Sequence, residues 1–263
     1  MNINEKRLFL LDMDGTIYLG NKLFSTTFNF LEQVRKNGGK FLFLTNNSSK
    51  SVKQYVQKLA EMGIFTQEDD FVTSTQVMAR KLRKKYNSQK LYALGTAAFR
   101  DELLSFGLNI TNKPEKDVVC LVMGFDTELT FQKLEDACVL LANGVDYIAA
   151  NPDLTCPTEW GSVPDCGSVS AMLANTTGRE PLFIGKPNPE MVLAAIGKTG
   201  FTKNETVMVG DRLYTDIACG IAAGIDTILV LSGETKIDMV QQSIHKPGGI
   251  YADVGEIARE IKK

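Results

Sequence analysis

Residues 7–16, Arg7-Leu8-Phe9-Leu10-Leu11-Asp12-Met13-Asp14-Gly15-Thr16, run an apolar stretch straight into a doubly acidic turn. A continuous apolar run of this kind predicts a strand buried on both faces, as in parallel sheets covered by helices. Gly15 permits a sharp turn off the strand, and Thr16 can cap it. The same alternation spreads outward from this segment. A helix is expected over 28–36, stopped at Gly38-Gly39, then a strand over 40–44. Val52, Tyr55, Val56, Leu59 and Met62 then recur at helical spacing within 48–62, with Gly63 as the stop. Further on, strands over 182–184, 206–209 and 227–231 alternate with helices over 189–198 and 215–223, and a helix over 254–261 closes the chain. Strand followed by helix followed by strand implies an α/β fold, a parallel sheet with right-handed crossovers.

Between the two stretches lies a second alternating unit. Its expected strands are 91–94, 118–123 and 147–150; its expected helices are 97–106, 131–143 and 169–177. The expected division is therefore 1–78 and 181–263 for the main unit, with 79–180 as a self-contained α/β insertion, read as a lid. A length of 263 residues suits two domains at roughly 150 residues each.

Four segments carry the chemistry, each behind an apolar strand: Asp12–Thr16, Thr45-Asn46-Asn47, Lys186-Pro187 and Gly210-Asp211-Arg212 with Asp216. Ligands of parallel sheets bind beyond the carboxyl ends of the strands, so residues far apart in sequence converge. Asp12 is placed to attack phosphorus as a carboxylate nucleophile. Asp14, two residues on, can protonate the leaving oxygen and then activate water. Thr45 offers a hydroxyl and Asn46 and Asn47 offer donors near a helix start, where anions are favoured. Lys186 can act as a point charge on a phosphoryl oxygen. Oxygen ligands suit Mg²⁺, with Asp12, the carbonyl of Asp14 and Asp211 as expected ligands and Asp216 behind them.

Composition narrows the alternatives. The formal net charge of −2 argues against nucleic acid as the main partner. The basic run Arg80–Lys85 reads as a solvated helix face. No apolar stretch approaches the ~18 residues that span a bilayer, and no signal peptide is expected. Five scattered cysteines read as thiols in a reducing compartment, hence a cytoplasmic protein. His245, the single histidine, reads as a surface residue, which excludes chemistry built on several imidazoles. Gly197-Lys198-Thr199 mimics the end of a phosphate loop but stands at a helix end rather than a start.

Taken together, the four segments resemble the haloacid-dehalogenase superfamily of Mg²⁺-dependent phosphohydrolases over nearly the whole chain. LDMDGTIYLG, FLTNNS, Asn151-Pro152-Asp153 and FIGKPNP resemble its NagD-like subclass (IIA). The resemblance implies a Rossmann-like parallel-sheet core with an inserted α/β cap. It implies Asp12 as nucleophile, Asp14 as acid and base, Thr45 and Lys186 as phosphate stabilisers, and Asp211 as Mg²⁺ ligand. The expected activity is hydrolysis of a small phosphomonoester, a sugar phosphate or nucleoside monophosphate, by a monomer or homodimer. Cap residues expected to meet substrate are Asn151-Pro152-Asp153, Trp160 and the loop 164–168, with core packing as the other reading of Trp160. A phosphomutase or phosphotransferase, or a non-catalytic phosphometabolite-binding protein, are the alternatives. Asp14 counts against a dehalogenase, and the order of the acidic residues counts against a receiver domain.

Overall fold

The computed structural model describes residues 1–158 and 160–261. By contacts the chain forms two compact units. The first holds Met1–Thr45, Val56–Val72 and the chain from Lys186 onward; the second holds Asn46–Tyr55 and Thr73–Gly185.

The sheet of the first unit runs Gly249–Tyr251, Asp226–Val230, Thr206–Gly210, Leu8–Leu11, Lys40–Thr45, Phe71–Thr73 across its width. Leu8–Leu11 pairs in parallel with both neighbours, Leu8 standing opposite Thr206 on one side and Lys40 on the other. The chain leaves this strand toward one side and its last third fills the other, so strand order reverses beside Leu11. That is where a parallel sheet opens a crevice at its carboxyl edge. Leu8, Leu10, Leu11, Phe43, Val207 and Val209 are all buried, which is why these strands read as unbroken apolar runs. The helix Thr27–Lys36 buries Phe30, Leu31 and Val34, and Phe30 meets Phe9 edge-on at 5.8 Å. The last helix, Val254–Glu260, is started by Asp253, whose carboxylate accepts from the N–H groups of Gly255 (2.8 Å) and Glu256 (3.1 Å). Two otherwise unpaired donors are satisfied in this way.

A five-stranded parallel sheet organises the second unit, in the order Leu182–Phe183, Asp146–Ala149, Val118–Met123, Lys90–Leu94, Asn109–Thr111. Tyr92, Leu94, Leu121 and Met123 form its core with Leu140 and Leu141 of helix Phe131–Ala142 and Leu173 of helix Cys166–Thr177.

Three expectations shift. A division at 78/79 would cut the helix Ser74–Tyr86, which is fixed as one piece by a reciprocal cap between Thr73 and Gln76. The helix expected from residue 48 begins at Val52, because Asn47 Oδ1 first takes the N–H and hydroxyl of Ser49 in a turn. The helix expected from 169 begins at Cys166, whose N–H donates to Asp165 Oδ1 at 2.5 Å. An antiparallel hairpin, Thr155–Thr158 with Gly161–Pro164, was not expected; two prolines and no apolar alternation conceal it. Trp160 stands at its turn and is 78% exposed, so the core-packing reading fails. The basic run lies on the helix Ser74–Tyr86, with Leu82 alone of Arg80–Lys85 buried.

Candidate active site

Asp12 follows the strand Leu8–Leu11 and keeps the ladder for one more step, its N–H donating to Val209 O at 2.9 Å. Its carboxylate therefore emerges at the carboxyl edge beside the next strand, where Asp211 emerges after Gly210. Lys186 reaches the same place from the chain that leaves the second unit. Its side chain is 2% exposed, and its ammonium donates to Asp12 Oδ1 (2.5 Å), Asp216 Oδ1 (2.7 Å) and Leu44 O (3.2 Å). A buried ammonium needs that many acceptors. Burial pulls its pKa down, but Asp12 and Asp216 outweigh burial and hold it above the usual lysine range.

Asp216 is at least as buried, and its second oxygen accepts from the N–H of Arg212 at 3.0 Å. This bond forms because residues 213–217 make a wide turn in which Ile217 N–H bonds Arg212 O, five residues back. Such turns are frequent at functional sites. A side chain on Gly210 would run into Asp216, so the glycine before Asp211 is needed to seat the acid four residues after Arg212.

Asp211 is held on one side only. Oδ2 accepts from Glu234 N–H at 2.7 Å, whereas Oδ1 is buried without a hydrogen-bond partner among the described residues. Gly15, at φ +86°, and Gly233 both press on this carboxylate; a Cβ at either would overlap it. Gly15 is thus required twice, for the left-handed turn and for the close approach.

Oxygens of Asp12, Asp211 and Asp216 lie within 4.8 Å of one another. Burial, opposed by Lys186 and reinforced by Asp216, pushes the Asp12 carboxyl up to about 7. Burial first, then Asp12 and Asp216, also pushes Asp211 up. Three acids against one lysine, with one carboxylate oxygen unpartnered, form a donor set that fits a hard divalent cation. A cation would satisfy Asp211 Oδ1 and reverse the upward shifts.

Asp14 is half-buried, and its backbone bridges to Tyr18. Thr45 ends its strand in the first unit, 6% exposed. Asn46 and Asn47 belong to the second unit, where their groups have other work. Asn46 Nδ2 donates to Asp153 Oδ2 (3.1 Å), and its carbonyl accepts from Ser74 Oγ (2.7 Å) and Asn151 Nδ2 (2.8 Å). Asn47 O accepts from the Tyr55 hydroxyl at 3.0 Å. Asn151, fully buried, and Asp153 thus anchor the peptide after Thr45, which corrects the expectation that they face substrate. Asp165, in the loop 164–168, is spent as a helix cap. The sequence gives no sign of Ser232–Glu234, a polar loop after an apolar strand that only the fold brings to Asp211.

Residues 9–109 match the family described as haloacid dehalogenase-like hydrolase, and residues 183–257 the one described as HAD-hydrolase-like. An acid sugar phosphatase of Staphylococcus aureus is 34% identical over 261 residues, 99% of this chain and 100% of that protein. The chain belongs to the haloacid-dehalogenase superfamily. Among solved members, a 4-nitrophenylphosphatase from Thermotoga maritima superposes with a TM-score of 0.94 at 39% identity over 100% of both chains. A glycerol phosphate phosphatase from Mycobacterium tuberculosis, in complex with magnesium, superposes with a TM-score of 0.91 at 31% identity, over 100% of this chain and 78% of its own. The superfamily's expected core, a parallel sheet with helices between strands, is the fold described above.

Proposed function

We propose that this superfamily member, a phosphatase of small phosphoesters, works through an aspartyl-phosphate on Asp12. The observation that carries the reading is the Lys186 ammonium buried between Asp12 and Asp216, beside the half-satisfied Asp211. Lys186 keeps Asp12 oriented and lowers its proton affinity against burial. In the first step an Asp12 carboxylate oxygen forms a bond to phosphorus while the bond from phosphorus to the substrate oxygen breaks. That oxygen takes its proton from Asp14. In the second step Asp14 takes a proton from water, the water oxygen bonds to phosphorus, and Asp12 leaves as carboxylate with release of inorganic phosphate. Splitting hydrolysis into two displacements lowers each barrier.

Asp12, the Asp14 carbonyl and Asp211 would hold Mg²⁺, with Asp216 fixing Lys186 and the Arg212 peptide behind them. The ion, when bound, supplies charge stabilisation to the phosphoryl oxygens. Thr45 and the backbone of Asn46 and Asn47 would receive the phosphate, the two carboxamides having internal partners. Residues of the second unit, the cap of this reading, would set substrate choice, with Trp160 as its exposed aromatic. A sugar phosphate is the favoured substrate class, supported by the name of the Staphylococcus aureus relative. Cytoplasmic location is part of the proposal, supported by five cysteines of which none forms a disulfide. No helix among the described residues is long and apolar enough to cross a membrane.

Phosphate release from a panel of sugar phosphates and nucleoside monophosphates, with and without Mg²⁺, tests this reading. Mg²⁺-dependent release supports it. Silence from a folded protein across the panel would turn the reading toward a phosphotransferase or a binding protein.

A further inference from the structure

Asp14 reaches the site on a turn that leaves the strand Leu8–Leu11 and folds back at once. The N–H groups of Thr16 (3.2 Å), Ile17 (3.0 Å) and Tyr18 (3.4 Å) all donate to Met13 O, and Tyr18 O accepts from Gly15 N–H at 2.7 Å. The two Tyr18 bonds, one to Met13 and one to Gly15, bracket Asp14 and make the bridge between Asp14 and Tyr18. Where Tyr18 goes, Asp14 follows. Tyr18 is also the root of a short antiparallel hairpin, Tyr18–Leu19 with Lys22–Leu23. Its own side chain is fully buried, whereas Leu19, Asn21 and Lys22 are exposed. A hairpin this small is not stable by itself, so much of its anchoring falls on the one buried ring.

Lys58 covers that ring. Its ammonium stands 3.9 Å from the ring centroid, inside the ~6 Å over which a cation is drawn to an aromatic face. Lys58 belongs to the helix Val52–Glu61, whose other charged residues, Lys53 and Glu61, are exposed while Lys58 is half-buried. Holding a lysine in one place costs side-chain entropy, and the attraction to the ring offsets that cost.

We infer that Lys58 is a positioning residue for the reaction: its ammonium clamps the Tyr18 ring, and Tyr18, through its peptide groups, holds Asp14 where it can give its proton to the departing oxygen. This role rests on Asp14 being the acid and base of the proposed mechanism. In the step concerned, the bond from phosphorus to the substrate oxygen breaks and that oxygen takes the Asp14 proton. The alkyl oxygen of a sugar phosphate is a poor leaving group and needs the proton. 4-Nitrophenolate leaves as a stable anion and does not. A role exercised through Asp14 must therefore discriminate between the two esters, whereas a general loosening of the fold must not.

The test measures kcat and KM at saturating Mg²⁺ for 4-nitrophenyl phosphate and for the sugar phosphate that the parent hydrolyses fastest. The comparison is made in kcat/KM, which reports the first displacement. Lys58→Met keeps the stem and removes the charge. It should lower kcat/KM for the sugar phosphate about 10–100-fold, mainly through kcat, the scale of a misplaced catalytic group. For 4-nitrophenyl phosphate the loss should stay below about threefold. Lys58→Arg, which also seats a cation on a ring, should restore most of the activity. Asp14→Asn should show the same selectivity more strongly, about 10²–10⁴-fold on the sugar phosphate. Adding Lys58→Met to Asp14→Asn should cost nothing further, because the two act as one unit. Tyr18→Leu should reproduce Lys58→Met; if it does not fold, or if the parent does not turn over the aryl ester, the Asp14→Asn background decides. Equal losses on both esters, a loss undiminished in the Asp14→Asn background, or a raised KM with kcat unchanged would each overturn the positioning role while leaving the phosphatase standing. A parent inactive on every sugar phosphate would overturn the proposed mechanism, and the role of Lys58 with it.

Discussion

Replacing Lys186 by Met keeps the volume of the side chain and removes its charge. In the native protein this ammonium, 2% exposed, is shared by Asp12 and Asp216 and also bonds the Leu44 carbonyl. Without it two neighbouring carboxylates lose their common counter-charge, Asp216 at 1% side-chain exposure and Asp12 at 14%. Breaking a buried pair by deleting one partner costs about 3–5 kcal/mol. At roughly 2–4 °C per kcal/mol for a chain of this size, Lys186→Met should melt about 6–20 °C below the parent in chelator at pH 8.

The deficit must also depend on pH in a definite direction. With Lys186 present the Asp12 carboxyl is already pushed up to about 7, well above the usual carboxylate range. Without the lysine it rises further. A carboxyl whose folded pKa is raised binds more protons folded than unfolded, so the folded state gains as pH falls toward the unfolded value. The deficit of Lys186→Met should therefore shrink at pH 5 relative to pH 8. Adding Asp216→Asn should recover part of it, since one of the two stranded charges is then gone. A deficit below about 1 kcal/mol at pH 8, or one equal at both pH values, would refute the electrostatic account of this cluster.

The same shifts predict the behaviour of the metal-stripped parent. The Asp12 and Asp211 carboxyls are both raised, so its melting temperature should fall as pH rises through about 7. Protons compete with the cation for these oxygens, so Mg²⁺ should raise the melting temperature more at pH 8 than at pH 5.5; an equal gain would argue that the ion binds elsewhere. Gly15→Ala, forced into φ +86° and onto Asp211, should lose Mg²⁺-dependent stabilisation as well as about 1–3 kcal/mol of stability; a parent-like Mg²⁺ titration would contradict the packing. Asn151→Ala removes a buried donor from the Asn46 carbonyl and should cost about 1–3 kcal/mol in denaturant melts. Trp160→Ala should stay within about 0.5 kcal/mol, because an exposed hairpin turn has no packing to lose.

The strands were legible because parallel strands buried on both faces write themselves as apolar runs, and three of the four motifs because each stands at the end of one. Leu8–Leu11 and Thr206–Gly210 are of this kind. Lys186 follows only the two-residue, partly exposed strand Leu182–Phe183 of the second unit's sheet. The hairpin around Trp160 was illegible since its strands are polar, short and half-exposed. The start of the helix at Val52 was hidden by Asn47 and Ser49, whose side chains compete for the backbone where apolar periodicity alone promised another turn. Asn151 and Asp153 looked like substrate contacts because polar residues after a strand are ordinarily at an edge. Their partner, Asn46, lies over a hundred positions away, and no local pattern announces such a bond. Ser232–Glu234 escaped for the same reason, as Asp211 is its neighbour only once the sheet has formed.

The most direct test of the account is to catch the phosphoryl group on Asp12. The Mg²⁺-loaded protein is mixed with a hydrolysed sugar phosphate, quenched in acid within a turnover, and its peptides are weighed. One phosphoryl group on the peptide carrying Asp12, lost on treatment with hydroxylamine and absent in Asp12→Asn along with turnover, is the predicted result. Steady phosphate release with Asp12 unmodified, or turnover that survives Asp12→Asn, would contradict the nucleophile assignment on which the account stands.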